Sequence, residues 1–173
     1  QKVSQLVTGD PLDEKTHVGP LITTADRDRV KTWVDEAVSS GARLLFGGEV
    51  EGTILKPTVL ADVTPEMKVF HNEIFGPVVG ITRFRTLDEA VELANATEYG
   101  LQAGVFTASI ATAFEMVRRL RFGGVLINEA PTYRTDQMPY GGLKASGNTR
   151  EGPHYAIREM TVENLVVLNG VSL

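Results

Sequence analysis

Cysteine is missing from all 173 residues. No disulfide can form, no thiolate can ligate a metal, and no thiol can serve as nucleophile. Histidine is nearly missing too. His17, His71 and His154 stand far apart, without the paired spacing of a metal site or the partners of a catalytic triad, so each reads as a surface or capping residue. No apolar run approaches the ~18 residues that suggest a membrane span, and no charged-then-apolar leader pattern opens the stretch. Basic residues number 17 against 22 acidic, and only Arg118, Arg119 and Arg121 cluster. Nucleic acid and anionic membrane are therefore not expected as partners. A chain of this length can bury about 70% of the surface it exposes when unfolded. The expectation is a soluble, cytoplasmic α/β protein.

The first residues, Gln1 and then Lys2 to Val7, read as the end of an element that runs out at Thr8-Gly9-Asp10-Pro11. This predicts a segment of something longer; a processed start to a complete small domain is the alternative.

Further along, Thr23 and Asp26 are spaced as a capping box. The helix they open carries Val30, Trp33, Val34, Ala37 and Val38 as a one-sided stripe, with Gly41 as terminator. Arg43 to Phe46 reads as a strand, and Leu55 to Val63 as extended, with Pro57 favouring an edge or a strand start. Val78 to Phe84 is β-branched and strand-like. Thr86 and Glu89 form a second capping box before Leu87, Ala90, Val91 and Ala94. Gly104 to Thr107 is the next strand. Ser109 then caps a helix expected to turn Ile110, Phe114, Val117 and Leu120 inward, with the three arginines at its C-terminal end. Gly123-Gly124 leads into a strand from Val125 to Asn128. Two β-α-β units in succession predict an open, mostly parallel sheet with flanking helices and right-handed crossovers.

The last third loses this rhythm. Ala130 to Met138 is a polar loop, Tyr140 to Gly147 a glycine-rich turn, and Pro153 opens a short helix. Val162 to Asn169 is strand-like with nothing following to pair with it, so it is expected to add to another sheet.

The stretch His71-Asn72-Glu73-Ile74-Phe75-Gly76-Pro77-Val78-Val79 carries most of the chemical information. A carboxylate and a phenyl ring stand two residues apart, and Gly-Pro then breaks the local structure. A carboxylate can accept from both hydroxyls of a ribose, and a ring beside it can restrict a nicotinamide. A solvated Glu beside a core aromatic is the plain alternative. This stretch resembles the nicotinamide-ribose clamp of aldehyde dehydrogenases. Gly19-Pro20-Leu21, Pro57-Thr58-Val59-Leu60, Tyr99-Gly100-Leu101 and Pro139-Tyr140-Gly141-Gly142-Leu143-Lys144-Ala145-Ser146-Gly147 stand in the order that family uses. Each short match is weak, and the ordered set from about Gly9 to Gly170 is strong.

The resemblance implies the C-terminal part of an NAD- or NADP-dependent aldehyde dehydrogenase. Residues 1–160 would belong to its catalytic domain and 161–173 to a strand that pairs with another subunit in a homo-oligomer. Glu73 would bind the nicotinamide ribose and Phe75 would pack near the nicotinamide. Leu101 would line the same pocket, unless it is plain core. Tyr140 would stand near the reactive thiol, where the family usually has phenylalanine, and would add a hydroxyl to an apolar tunnel. The loop Ala130–Met138 would shape the aldehyde pocket. Arg134, its one cation, could pair with a substrate carboxylate, phosphate or sulfonate, or form a local ion pair with Asp136 or Glu129. Asn128 is expected to hydrogen-bond the adjoining loop. Gly141-Gly142 is a tight backbone turn, since no strand-GxGxxG-helix context surrounds it. Asn148-Thr149 departs from the glycine the family places before Arg150, which puts the local turn in doubt. In the implied scheme an aldehyde forms a thiohemiacetal on a cysteine outside this chain, and no catalytic residue or metal ligand is assigned within it. The segment alone is expected to be inactive and, with apolar faces left in water, to self-associate. The competing reading is a non-catalytic assembly module that uses its terminal strand to extend a partner sheet.

Overall fold

Helices begin where the sequence supplies hydroxyl caps. In the computed structural model, which describes residues 2–172, the Thr23 hydroxyl accepts from the Asp26 amide at 3.1 Å and opens α1, Thr24–Ser39. The helix closes with the Gly41 and Ala42 amides donating to the Val38 and Ala37 carbonyls, the paired bonds of a Schellman end. Its Val30, Val34 and Ala37 are buried. Val38 is 40% exposed, so the core-facing stripe is narrower than the sequence pattern.

After α1 come β1 (Arg43–Phe46), the short β2 (Val50–Glu51) and β3 (Ile54–Leu55), and β4 (Thr58–Ala61). A single-turn helix α2 (Lys68–His71), β5 (Val78–Ile81) and α3 (Leu87–Asn95) follow. The sheet order is β1-β4-β5, antiparallel between the first pair and parallel between the second. Pro57 therefore marks the start of a central strand, not an edge; a residue just ahead of β4 owes no ladder hydrogen bond. The core beneath this sheet joins Val34, Ala37, Ala42, Leu60, Val63, Met67 and Val69, with Trp33, Phe70, Ile74 and Val78 packed around it. Thr58 is buried, yet its hydroxyl is satisfied: it donates to the Lys56 carbonyl and accepts from the Gly48 amide. Thr86 caps α3 by accepting from Glu89. β5 ends at Ile81, short of the expected Phe84.

The chain divides into two compact units, Gln1–Thr97 and Glu98–Leu173. Gln1 and Leu173, the outer limits of the expected domain and terminal segment, lie outside the described residues. The second unit contains β6 (Tyr99–Gly100), β7 (Gln102–Val105), α4 (Ile110–Arg119), β8 (Gly124–Ile127), β9 (Leu143–Lys144) and α5 (Pro153–Met160). β7 and β8 pair in parallel through the α4 crossover, as the second expected β-α-β unit requires. β6 pairs antiparallel with β9. Two motifs far apart in sequence thereby lie side by side, Tyr99 opposite Lys144 and Gly100 opposite Leu143. A Cβ on Gly123 would sit 1.6 Å from the Gly141 carbonyl oxygen. The close approach of those two backbones requires glycine.

α4 corrects one expectation. Ile110, Phe114 and Val117 are 72%, 63% and 45% exposed, and the face turned to the unit's interior carries Ala113, Met116 and Leu120. Periodicity reports an apolar face, but not which neighbour covers it. Arg118 and Arg119 do occupy the last turn, where both pair with Glu115. From Thr161 to Asn169 the chain forms no strand, and Val162, Leu165, Val166, Val167 and Leu168 are exposed. No helix of the described residues is long and apolar enough to cross a membrane.

Candidate functional site

Glu73 and Phe75 lie in the connection between α2 and β5. Ile74 between them packs against the core, while Glu73 and Phe75 are exposed, the ring at 73%. An exposed phenyl group on an ordered turn leaves apolar area in water that a ligand could cover. Phe75 also adopts φ of 49°, the left-handed region that a bulky side chain seldom occupies. The turn is fastened on both sides. The Asn72 amide donates to the Lys68 carbonyl at 3.0 Å. After Gly76, the Val78 amide donates to the Gly76 carbonyl at 2.8 Å and the Thr58 amide to Pro77 at 2.8 Å. The Gly-Pro pair thus turns the chain directly into β5.

α1 supports this turn from beneath. The Arg29 guanidinium donates through Nη2 to the Ile74 carbonyl at 3.1 Å, and it lies 4.7 Å from the centre of the Trp33 ring. Pro20, Leu21, Ile22, Asp26, Arg29 and Phe75 line a cleft of about 290 Å³. The Gly19-Pro20-Leu21 motif is therefore brought beside the Phe75 ring by the fold. Arg29 was not singled out from sequence. Its four-residue spacing from Trp33 is legible as a helical pair, but its carbonyl partner lies 45 residues away.

In the second unit Arg134 and Tyr140 meet, with the guanidinium carbon 4.4 Å from the ring centre. Arg134 also pairs with Glu151 at 2.7 Å, not with Asp136 or Glu129. The cause is a short antiparallel bridge: the Glu151 amide donates to the Tyr140 carbonyl at 2.6 Å, and the Tyr140 amide donates back to Glu151 at 3.2 Å. Tyr140 and Glu151 are locked opposite each other, and the Arg134 side chain lies across both. Together with Asp136, Arg150 and Glu159, Arg134 and Glu151 edge a cleft of about 600 Å³. Arg150 donates to the carbonyls of Gly142 and Thr149 at 2.9 and 2.8 Å, so the turn through Asn148-Thr149 is pinned by the arginine that follows it. Leu101 stands in the link between β6 and β7, 37% exposed, with its carbonyl accepting from Gly124.

Asn128 has the local role expected of it. Its Oδ1 accepts from the Thr107 amide at 2.8 Å and its Nδ2 donates to the Thr107 carbonyl at 3.0 Å, tying β8 to the loop before α4. His17 Nδ1 accepts from the Val7 amide, and His71 Nδ1 bonds the Pro65 carbonyl. His154 stacks edge-on against Tyr155. All three are occupied locally. Among the described residues no group of three His, Asp or Glu side chains could hold a metal ion.

Known proteins resemble this chain in sequence and in fold. The chain is 46% identical over 169 residues to a 3-sulfolactaldehyde dehydrogenase from Priestia aryabhattai, covering 98% of this chain and 35% of that protein. An aldehyde dehydrogenase from Physcomitrella patens, solved with the reaction product succinate, superposes with a TM-score of 0.88 at 43% identity, over 92% of this chain and 33% of that one. A glyceraldehyde-3-phosphate dehydrogenase from Methanocaldococcus jannaschii in complex with NADP gives 0.87 at 41% identity, over 92% and 34%. The chain thus spans about a third of the length of these relatives. The model of the aldehyde dehydrogenase family matches residues 1–166, and the chain, with its exposed Glu73–Phe75 turn, belongs to that family.

Proposed function

We propose that this chain is the C-terminal part of the catalytic domain of an NAD- or NADP-dependent aldehyde dehydrogenase, in which Glu73 and Phe75 hold the nicotinamide riboside end of the coenzyme. The bound coenzyme supplies the hydride acceptor. Glu73, exposed and carrying no hydrogen bond or ion pair to other described residues, is free to accept from the two ribose hydroxyls. The Phe75 ring, two residues on, limits where the nicotinamide can lie. The reacting thiolate, which would form the thiohemiacetal, comes from outside this cysteine-free stretch. Residues 1–160 serve the catalytic domain, and 161–173 serve assembly of a homo-oligomer by strand pairing. A cytoplasmic location belongs to the same reading.

Arg134 supports an anionic substrate within this reading. With its guanidinium face on Tyr140 and one edge on Glu151, it keeps further N–H donors for an anionic group at the far end of the aldehyde. The three relatives described above have a sulfonate, a carboxylate and a phosphate in their substrate or product names, which supports an anionic aldehyde here.

The observation that carries the coenzyme reading is the exposed carboxylate and ring held on one fastened turn. Glu73→Gln in the full-length enzyme should raise the KM for NAD(P) about tenfold, with the melting temperature unchanged. An unaltered KM rules out the clamp. The assembly-module reading draws on the unpaired apolar tail, and it predicts a native product that binds no coenzyme and still oligomerises.

A further inference from the structure

α1 touches the clamp turn at two neighbouring positions. Arg29 donates to the carbonyl of Ile74, the residue between Glu73 and Phe75. Val30, completely buried, lies under Gly76: a Cβ there would stand 3.1 Å from each Val30 methyl. Between these supports sits Phe75 at φ of 49°. For a bulky non-glycine residue that conformation is strained, and it persists only where surrounding structure over-determines it.

We propose that Arg29 is a positioning residue for the coenzyme clamp, holding the Glu73–Phe75 turn through the Ile74 carbonyl in the conformation that presents carboxylate and ring together. The proposal rests on the reading of Glu73 and Phe75 as that clamp. Arg29 is itself well fixed. Its guanidinium lies over Trp33 one turn further along the same helix, and Asp26 stands 3.5 Å away on the preceding turn. The side chain is 32% exposed, so the bond to Ile74 is only partly open to competition from water. The capped start of α1 at Thr23 places this assembly one turn into the helix. Without the donor, the Ile74 carbonyl loses its anchor and Phe75 is free to return to negative φ. That rotation would swing the ring away from Glu73 while leaving the core side of Ile74 in place.

The test uses the full-length enzyme that contains this segment. Arg29→Met keeps the aliphatic stem against Trp33 and removes the donor; Arg29→Lys restores one. Two quantities are read: the Kd for NADH or NADPH by fluorescence titration, and, without coenzyme, hydrogen exchange at the Val78 amide, which donates across the turn to Gly76. Arg29→Met should weaken coenzyme binding about tenfold and speed Val78 exchange by a similar factor. Arg29→Lys should return both to within about threefold of wild type. Wild-type values for Arg29→Met overturn the proposal. If Arg29→Met fails to fold, Asp26→Asn loosens the guanidinium without removing it and should give about threefold on both readouts; no change there also overturns it. Glu73→Gln separates the two levels. Weak binding in Glu73→Gln with normal binding in Arg29→Met sinks only the role of Arg29, whereas normal binding in both removes the clamp itself. In the double variant, Kd should rise by clearly less than the product of the two single losses, because only the Phe75 ring is left for Arg29 to position. Multiplied losses would mean that Arg29 acts on the coenzyme independently, against the proposal.

Discussion

Arg134→Ala is the sharpest probe of substrate choice. A charge-assisted hydrogen bond is worth about 1.5–3 kcal/mol, and the side chain is 42% exposed, which favours the lower end. At 1.4 kcal/mol per decade, the KM for an anionic aldehyde should rise about tenfold to thirtyfold. The loss to folding is smaller. An exposed ion pair contributes about 0.2–1 kcal/mol and a surface cation–π contact about 0.5–1 kcal/mol, so the variant should fold with less than about 2 kcal/mol lost. The assay pairs succinate semialdehyde with butanal, equal in carbon number and differing in the terminal carboxylate, on the full-length enzyme at fixed ionic strength. The carboxylate substrate should lose, and butanal should stay within about twofold. Arg134→Lys keeps the charge without the planar fork and should fall between. Equal KM values for succinate semialdehyde in wild type and Arg134→Ala would refute the reasoning, and Arg134 would then serve only its contacts with Glu151 and Tyr140.

Gly123→Ala should destabilise by about 2 kcal/mol or more, because the new methyl meets the Gly141 carbonyl at 1.6 Å and overpacking of this kind costs about 1–3 kcal/mol; thermal melts would show it, and an unchanged melting temperature would mean the two glycine backbones do not touch. Asp62 is held below its ordinary carboxylate range, first by its hydrogen bond from Arg43 and then by the charges of Arg43 and Arg83. A depressed carboxylate stabilises the fold above its unfolded pKa of about 4 and loses that contribution as pH falls through the folded value. Wild type should therefore lose more stability than Asp62→Asn as pH drops from about 5 to 3 in melts at low salt; parallel curves would exclude the effect. The isolated segment should reduce no NAD(P) with any aldehyde, having no thiol, and should self-associate through apolar tail and α4 residues such as Val166 and Phe114, 68% and 63% exposed. Turnover above a buffer blank, or a monomer at high concentration in size exclusion, contradicts these expectations. Val166→Asp should weaken association and leave the rest of the fold intact, as circular dichroism would verify.

Local chemistry was legible from the chain itself. Hydroxyl caps at Thr23, Thr86 and Ser109 start the three long helices where the spacing placed them, because a capping bond spans three residues and needs no distant partner. Of the strands in the β7-α4-β8 unit, β8 falls within a residue of the apolar run Val125 to Asn128, whereas β7 starts at Gln102, two residues ahead of the expected Gly104; the ordered motifs were enough to point to the family. That Glu73 and Phe75 share one turn was visible for the same reason: they are two apart.

Partners distant in sequence were decided by the tertiary structure alone. Arg134 finds Glu151 instead of Asp136 because the Tyr140–Glu151 bridge brings position 151 across from it. Arg29 reaches the Ile74 carbonyl because α1 packs beneath a turn 45 residues later. The face of α4 that points inward is Ala113-Met116-Leu120, since an amphipathic pattern names an apolar side without naming its cover. Sequence periodicity records what each element needs to bury or bond over three or four residues. Register between elements depends on how their surfaces fit, and that information exists only once they are packed.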